Sequence, residues 1–178
     1  MTMTRVRAAL VAGTLMAALS SGCGAAHETA GAAAKADDRV RPASVRRDRG
    51  RAITSLLGSV DRAWNAGNAR AFASNWTNDG VVISPQGRRT EGRDDIRKEQ
   101  ASAFAGSMKG TTHKLAATEI EWSSSNVAVV DGDAVISGLK GDDGTTYPPL
   151  SARFTCVCVN EHGRWLVSHM VSYSFMNS

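Results

Sequence analysis

Apolar residues recur at helical spacing in the first half of the sequence. In residues 52–67, AITSLLGSVDRAWNAG, an apolar side chain returns every three or four positions, which predicts an amphipathic helix that ends near Gly67. Asn68 can cap a second, shorter helix through ARAFASNW. The segment GRDDIRKEQASAFAG has acidic residues in its first turn and predicts a third helix. The short run GVVIS between the last two helices predicts a strand.

After Gly110 the pattern changes to the alternation that is typical of strands. THKLAATEIEW and VAVVDGDAVISG, separated by SSSN, predict one hairpin, and SARFTCVCV and WLVSHMVSYSF, joined by NEHG, predict another. LKGDDGTTYPP between the hairpins has the composition of an exposed loop. Helices followed by strands predict an α+β fold. We expect a curved antiparallel sheet wrapped around the long first helix, with a pocket between that helix and the concave face.

The N-terminal residues differ in character from the rest of the chain. Arg5 and Arg7 precede the apolar run AALVAGTLMAAL, and small residues lead to Cys23, which is the layout of a bacterial lipoprotein signal over residues 1–23 with Cys23 as the lipidated residue. Plain secretion with cleavage nearby is the alternative. Residues 24–51 have no sustained apolar period and predict a flexible basic tether. The domain is then expected over 52–178, extracytoplasmic and held at the membrane by a lipid anchor.

The formal net charge of +4 is unevenly distributed over the 178 residues. Residues 52–178 hold twelve Lys/Arg against thirteen Asp/Glu, so the domain is close to neutral and the positive charge belongs to the segment before it. A neutral domain without a basic stripe lacks the electrostatic footprint of a nucleic-acid-binding protein. We therefore expect no nucleic-acid partner.

The order and spacing of several strings resembles a known family. AWNAGNARAFASNWTNDGVVISPQGRRTEGRDDI, followed by SNVAVVDGDAVI, ARFTCVCV and GRWLV, is similar to SgcJ/EcaC-type domains of the SnoaL-like, nuclear transport factor 2-like superfamily, over essentially residues 52–178. The resemblance implies a cone-shaped, cystatin-like roll, often dimeric through its sheet, with a mostly apolar pocket at the wide end. It does not imply one reaction, because the superfamily includes isomerases, cyclases, dehydratases and proteins that only bind.

His169 is the first candidate for acid–base chemistry. Reading alternate residues along the last strand places it with Trp165, Val167, Val171 and Tyr173 on the more apolar face. Related domains often have a histidine six residues beyond the last-strand tryptophan, where this chain has Val171. An inward imidazole can act as a base near neutral pH. The alternative is a core histidine whose ring nitrogens bond to the backbone or to a hydroxyl.

Two carboxylates on the second predicted long strand are further candidates. Asp131 and Asp133 share one face with Val129 and can form an acid–base pair or a single base of raised pKa. Alternatively, Gly132 between them marks a bulge or bend, and the two acids mark the place where that face meets solvent.

The remaining candidates are one cation and three aromatic residues. Arg153 can hold a ligand oxygen or form an interstrand ion pair with Glu119 or Glu121. Tyr173 can donate to an oxyanion, or its ring can pack while its hydroxyl stays in water. Trp64 and Trp76 are expected in the pocket wall or the core.

No motif for a cofactor or a metal is present in the sequence. There is no phosphate loop, no hydrolase nucleophile elbow and no dinucleotide fingerprint, so no cofactor is expected. Cys156 and Cys158 lie two apart on one predicted strand, where a disulfide between them is geometrically unfavourable, and they are expected to be buried thiols. No further ligand stands at a metal-binding spacing from them.

Two functional hypotheses follow from these residues. The first is a tethered domain that binds a small apolar or aromatic molecule, or an envelope protein, without turnover. The second is a cofactor-independent isomerase, cyclase or hydratase that uses His169 or the pair Asp131 and Asp133 as base, and Arg153 or Tyr173 as oxyanion donor. A tethered location outside the cytoplasm favours the first hypothesis.

Overall fold

A computed structural model describes residues 43–174 of the chain. The predicted signal with Cys23 and the first part of the predicted tether lie outside the described residues. The elements in chain order are α1 (Ala43–Asn65), α2 (Ala69–Ala73), β1 (Trp76–Ile83), β2 (Arg89–Glu91), α3 (Arg93–Ala105), β3 (Thr112–Trp122), β4 (Val127–Ser137), β5 (Leu150–Glu161) and β6 (Arg164–Tyr173). The α+β class is confirmed. Over residues 43–174, every helix is too short or too polar to cross a membrane.

The strands form one curved, six-stranded sheet in the order β2-β1-β6-β5-β4-β3. The expectation of a fully antiparallel sheet is wrong at one place, because β1 pairs parallel to β6 while the other neighbours are antiparallel. Parallel pairing requires a long connection between the two strands. Here β2, α3 and the β3–β5 meander all lie between β1 and β6 in the chain. This connection is long enough for the last strand to return beside the first in the same direction.

Helix α1 packs its apolar side onto the concave face of the sheet. Ile53, Leu57 and Val60 recur at helical spacing and are at most 2% exposed. Opposite them, the inner face contributes the buried side chains of Val130 and Phe154. The core is therefore the space between helix and sheet, as the apolar pattern predicts.

The first helix starts before the predicted domain boundary. It already includes Ala43, the first residue that the structure describes, so the end of the predicted tether is helical and belongs to the domain. The physical reason is Arg49, which is only 9% exposed. Its guanidinium lies 3.8 Å from the centroid of the Trp122 ring and donates a hydrogen bond to the carbonyl oxygen of Ser124. An arginine that packs over an aromatic ring cannot be recognised from an apolar period.

The two shorter helices close one end of the sheet. Asn68 caps α2 as predicted, because its side chain accepts a hydrogen bond of 2.9 Å from the backbone N–H of Ala71. Helix α3 follows a glycine, Gly92, with a φ of 87°, and buries Ile96 against the core. Residues 138–149 form the predicted loop between β4 and β5.

Candidate functional site

A cavity of about 220 Å³ lies between the three helices and the concave face of the sheet. Its walls are mostly apolar, and each helix and each strand contributes to them. The apolar lining residues are Val60, Trp64, Phe72, Trp76, Val82, Ile96, Ala103, Met108, Ala134, Ile136, Leu150, Ala152 and Met170. This is the predicted pocket between helix and sheet. A mostly apolar concave site with few polar groups is the usual form of a small-molecule site.

His113 is the imidazole of this cavity. It lies at the start of β3, and its Nδ1 is 2.9 Å from the Oδ1 atom of Asp61 on α1. The Asp61 carboxylate also accepts the backbone N–H of Leu115, which fixes its position against the strand. Because Nδ1 is held by the carboxylate, Nε2 is the ring nitrogen that remains for a ligand. Both side chains are largely buried, with 9% exposed for His113 and 17% for Asp61.

Trp64 packs against one face of the His113 imidazole ring. The two rings are stacked, with centroids 4.5 Å apart and planes 19° from parallel. The Trp64 Nε1 atom donates a 3.0 Å hydrogen bond to the hydroxyl of Thr111, and Phe72 and Phe104 meet the indole edge to face. The imidazole is therefore fixed in its plane by stacking and in its rotation by Asp61.

A polar cluster occupies the rim of the cavity. The carboxylate of Glu99 on α3 lies 2.6 Å from the Arg88 guanidinium and accepts a hydrogen bond from the Thr90 hydroxyl. All three residues line the cavity. The cluster connects α3 to the β1–β2 hairpin. It also places a paired positive and negative charge at the entrance of the cavity.

His169 lies outside this cavity, and the prediction that it shares one face with Trp165 and Val167 is wrong. Val167 pairs with Cys158 and His169 with Val157, so Ser168 is an extra residue, a β-bulge, in β6. A bulge shifts the alternation of side chains by one position. Beyond it, Met170 faces inward, and His169 is exposed on the outer face with its Nδ1 2.9 Å from the Ser168 hydroxyl.

Asp131 and Asp133 also face outward. They share one face with Val129, as predicted, but it is the convex face of the sheet. Asp131 accepts a hydrogen bond from Thr155 on the neighbouring strand, and Asp133 is half exposed. The interpretation in which the acids mark a solvent-facing surface fits this placement.

Arg153 and Tyr173 are on the same outer face. Asp133, Arg153 and Tyr173 are register partners across β4, β5 and β6, and the Arg153 Nε atom lies 3.2 Å from the Asp133 carboxylate. The expected interstrand ion pair is therefore present, with Asp133 in place of Glu119 or Glu121. None of these three side chains lines the cavity. Of the predicted site residues, Trp64 and Trp76 do.

Cys156 and Cys158 are buried thiols on the inner face, as predicted. Their Sγ atoms are 3.6 Å apart, and this hydrogen bond, with burial, raises the pKa of the Cys156 thiol far above its usual range. A neutral buried thiol behaves as a small apolar side chain, so both residues serve the core.

His113 and Asp61 are the polar site residues that the sequence interpretation missed. A signal was present for each one. Asp61 interrupts the apolar side of α1 four residues after Leu57, and His113 alternates with the inward Leu115 at the start of β3. Neither signal shows that the two side chains meet, because 52 residues separate them in the chain.

Residues 46–171 match the family model of the SnoaL-like domain, and the chain therefore belongs to this family. No functionally curated protein matches the chain.

Solved structures support the same fold. An uncharacterised protein with a cystatin-like fold from Caulobacter vibrioides is 22% identical, with a TM-score of 0.63, and the match covers 71% of this chain and 89% of that chain. A candidate scytalone dehydratase from Novosphingobium aromaticivorans is 17% identical, with a TM-score of 0.66 over 76% and 89% of the two chains. A ketosteroid isomerase-like protein from Erwinia carotovora is 16% identical, with a TM-score of 0.60 over 71% and 95%. At these identities the likeness shows the fold.

Proposed function

We propose that the domain binds a compact, mostly apolar molecule in the cavity between the helices and the sheet. The observation that carries the proposal is the apolar cavity of about 220 Å³ with a fixed imidazole, His113, in its wall. A ligand that fills such a space is bound through removal of its apolar surface from water, which contributes roughly 25 cal/mol per Å². The imidazole adds one polar contact of defined direction.

A second candidate function is proton transfer without a cofactor, of the isomerase or hydratase type. The observation that favours it is the Asp61–His113–cavity arrangement. A carboxylate at Nδ1 holds the neutral ring with its proton on Nδ1, leaves Nε2 as a base, and stabilises the imidazolium that forms when Nε2 takes a proton from the ligand. In this proposal His113 replaces His169 as the base, and Asp61 is its positioning residue.

The first experiment is native mass spectrometry of the protein purified from its own host. A co-purified small molecule that is lost from a variant with a filled cavity, Ala134→Phe, supports ligand binding in this cavity. The matched control is Val129→Phe, because Val129 lies on the same strand but on the outer face. A molecule that remains bound in Ala134→Phe, or is lost equally from both variants, contradicts the proposed site.

We further propose the finer assignments that the sequence suggests. The SgcJ/EcaC subtype is supported by the strings from AWNAGN to GRWLV, and the lipid-anchored, extracytoplasmic location by the layout that ends at Cys23. A dimer through the sheet is supported by the outer face, where Val171 is 38% exposed. An envelope protein as partner on this face is the alternative to a second copy of the chain.

A further inference from the structure

Most polar atoms in the cavity wall already have a partner within the protein. The indole nitrogen of Trp64 bonds to Thr111, and Nδ1 of His113 bonds to Asp61. At the rim, Arg88 and Thr90 both bond to Glu99. Two buried side-chain nitrogens of the cavity wall have no partner among the described residues, and these are Trp76 Nε1 and Gln100 Nε2.

Gln100 lies where the helix pattern calls for an apolar residue. Ile96, Gln100 and Ala103 follow one another at spacings of four and three on α3, and all three line the cavity. A buried N–H donor without a partner destabilises the folded protein, so an amide at such a position is unfavourable unless something outside the chain bonds to it. Violations of the local pattern of this kind are expected at functional sites.

Trp76 is the less suitable of the two donors for a ligand. A Cβ atom placed on Gly80 would lie 2.9 Å from Trp76 Cδ1, so the pyrrole edge of the indole packs tightly against the backbone of its own strand. The Gln100 side chain has three rotatable bonds and can turn its amide to meet an entering group. The ligand contact is therefore assigned to Gln100.

We propose that Gln100 Nε2 donates a hydrogen bond to an acceptor oxygen of the ligand, and that the ligand is a one- or two-ring molecule with a carbonyl-type oxygen. This inference rests on the proposed function, since it names the class of molecule that the same cavity binds. The size follows from the volume, because the cavity of about 220 Å³ is smaller than the pockets of roughly 300–1,000 Å³ that bind drug-sized ligands.

The polarity of the ligand follows from the hydrogen-bonding groups of Gln100 and His113. The amide at Gln100 offers a donor, whereas Nε2 of a neutral His113 with its proton on Nδ1 offers an acceptor. A molecule that carries an acceptor oxygen toward α3 and an acidic C–H or O–H toward β3 satisfies both.

The test compares 1-tetralone with tetralin, which share a two-ring carbon skeleton and differ by the carbonyl oxygen. The affinity of each for the full-length protein is measured by calorimetry, in the wild type and in Gln100→Met, which keeps an unbranched side chain of similar length without the donor. We expect the ratio of tetralone to tetralin affinity to fall about tenfold in Gln100→Met. Lys98→Met is the matched control, because Lys98 is on the same helix but has an exposed side chain that does not line the cavity, and it should leave this ratio within about twofold of the wild type.

The outcomes separate this inference from the proposed function. Tetralin binding with a ratio that is the same in the wild type and Gln100→Met overturns the acceptor contact but keeps an apolar ligand site. A ratio that falls in His113→Phe and not in Gln100→Met assigns the contact to the imidazole and also overturns the inference. Absence of binding for both probes in the wild type overturns the compact apolar site itself.

Discussion

His113 meets a different partner on each side of its ring. Asp61 bonds to Nδ1, Trp64 stacks on one face, and the cavity lies next to the ring. The Nδ1 atom of His169 lies 2.9 Å from the neighbouring Ser168 hydroxyl, and the side chain is exposed. Two histidines on strands of one sheet therefore differ in what they can do, since a base requires a fixed orientation toward an enclosed substrate.

We predict that His113→Phe abolishes proton transfer to the ligand, while His169→Phe does not. The phenyl ring preserves the stacking on Trp64, whereas both ring nitrogens and the bond to Asp61 are lost. The measurement is deuterium uptake from D₂O into the co-purified ligand, and we expect a rate loss of about 10²–10⁴-fold in His113→Phe.

Asp61→Asn tests the positioning role in the same assay. Because the amide holds the ring less strongly and does not stabilise its charged form, we expect a smaller rate loss and a shifted pH–rate profile. Equal uptake in the wild type and His113→Phe would contradict the proton-transfer proposal and leave the domain as a binding protein.

At the scale of elements, Gly132 shows how two strands pack. It lies inside β4 on the inner face, and a Cβ atom there would be 2.4 Å from the Ala116 carbonyl oxygen and 2.6 Å from the Phe154 ring. The predicted bulge is not at Gly132, because the β4 register is regular there and the irregularity falls on the facing strand, at Thr118. Gly132 is instead a site of close approach, where the ring fills the space of the absent side chain.

We predict that Gly132→Ala lowers the free energy of unfolding by about 1–3 kcal/mol, because the methyl group must displace a carbonyl or a packed ring. Gly58→Ala is the matched control in α1. There the nearest atom is the flexible end of Arg62 at 3.3 Å, and helix propensity should raise the stability by about 0.5–1 kcal/mol. Urea unfolding measures both variants, and changes of the same sign would contradict the packing argument.

The first turns of α1 also belong to the packed domain. We predict that Arg49→Met lowers the free energy of unfolding by about 1–3 kcal/mol, because it removes the contact with the Trp122 ring and the bond to Ser124. Arg51→Met is the control, since the Arg51 side chain is 77% exposed and its ion pair with Asp48 spans 3.7 Å. If both variants unfold at the same urea concentration, the domain starts after Arg51, as the sequence predicts.

At the scale of the molecule, the two faces of the sheet have separate roles. The concave face encloses the core and the cavity with His113 and Gln100. The convex face carries the cross-strand network of Asp131, Asp133 and Arg153. A small-molecule site and a protein interface can therefore exist on one sheet without sharing residues, and the predicted dimer remains a prediction for the convex face.

Exposed carboxylates with lowered pKa values make the stability of the fold sensitive to acid. Hydrogen bonds from the backbone N–H and the hydroxyl of Thr145 lower the pKa of Asp143, and a hydrogen bond from Lys98 lowers the pKa of Asp95, both from 3.8. A carboxylate with a lowered pKa in the folded state stabilises the fold above the unfolded value, and this contribution is lost as the pH falls through the folded value.

We predict that the free energy of unfolding decreases as the pH falls from about 5 toward 3, and that the decrease is smaller in Asp95→Asn. Lys98→Met removes the donor of the same hydrogen bond, so the free energy of unfolding should also decrease less between a pH of about 5 and 3 in this variant. Urea unfolding at several pH values measures it. An identical pH slope in the wild type and both variants would contradict the assigned contribution of this pair.

The local patterns of the chain determined most of the fold. The period of Ile53, Leu57 and Val60 defined the central helix, Asn68 capped the next one, and alternation identified the four long strands, because these features depend on neighbours a few residues apart. The pocket between helix and sheet followed from the same reasoning.

The identity of the site residues was decided by tertiary structure. One inserted residue, Ser168, reversed the face of His169, and only the packing of α1 against β3 brought Asp61 to His113. Alternation assumes an unbroken ladder, and an imidazole becomes a site residue through contacts that are distant in the chain. The sequence by itself therefore determined the elements and their apolar sides, whereas the tertiary structure decided which polar side chains meet in the cavity.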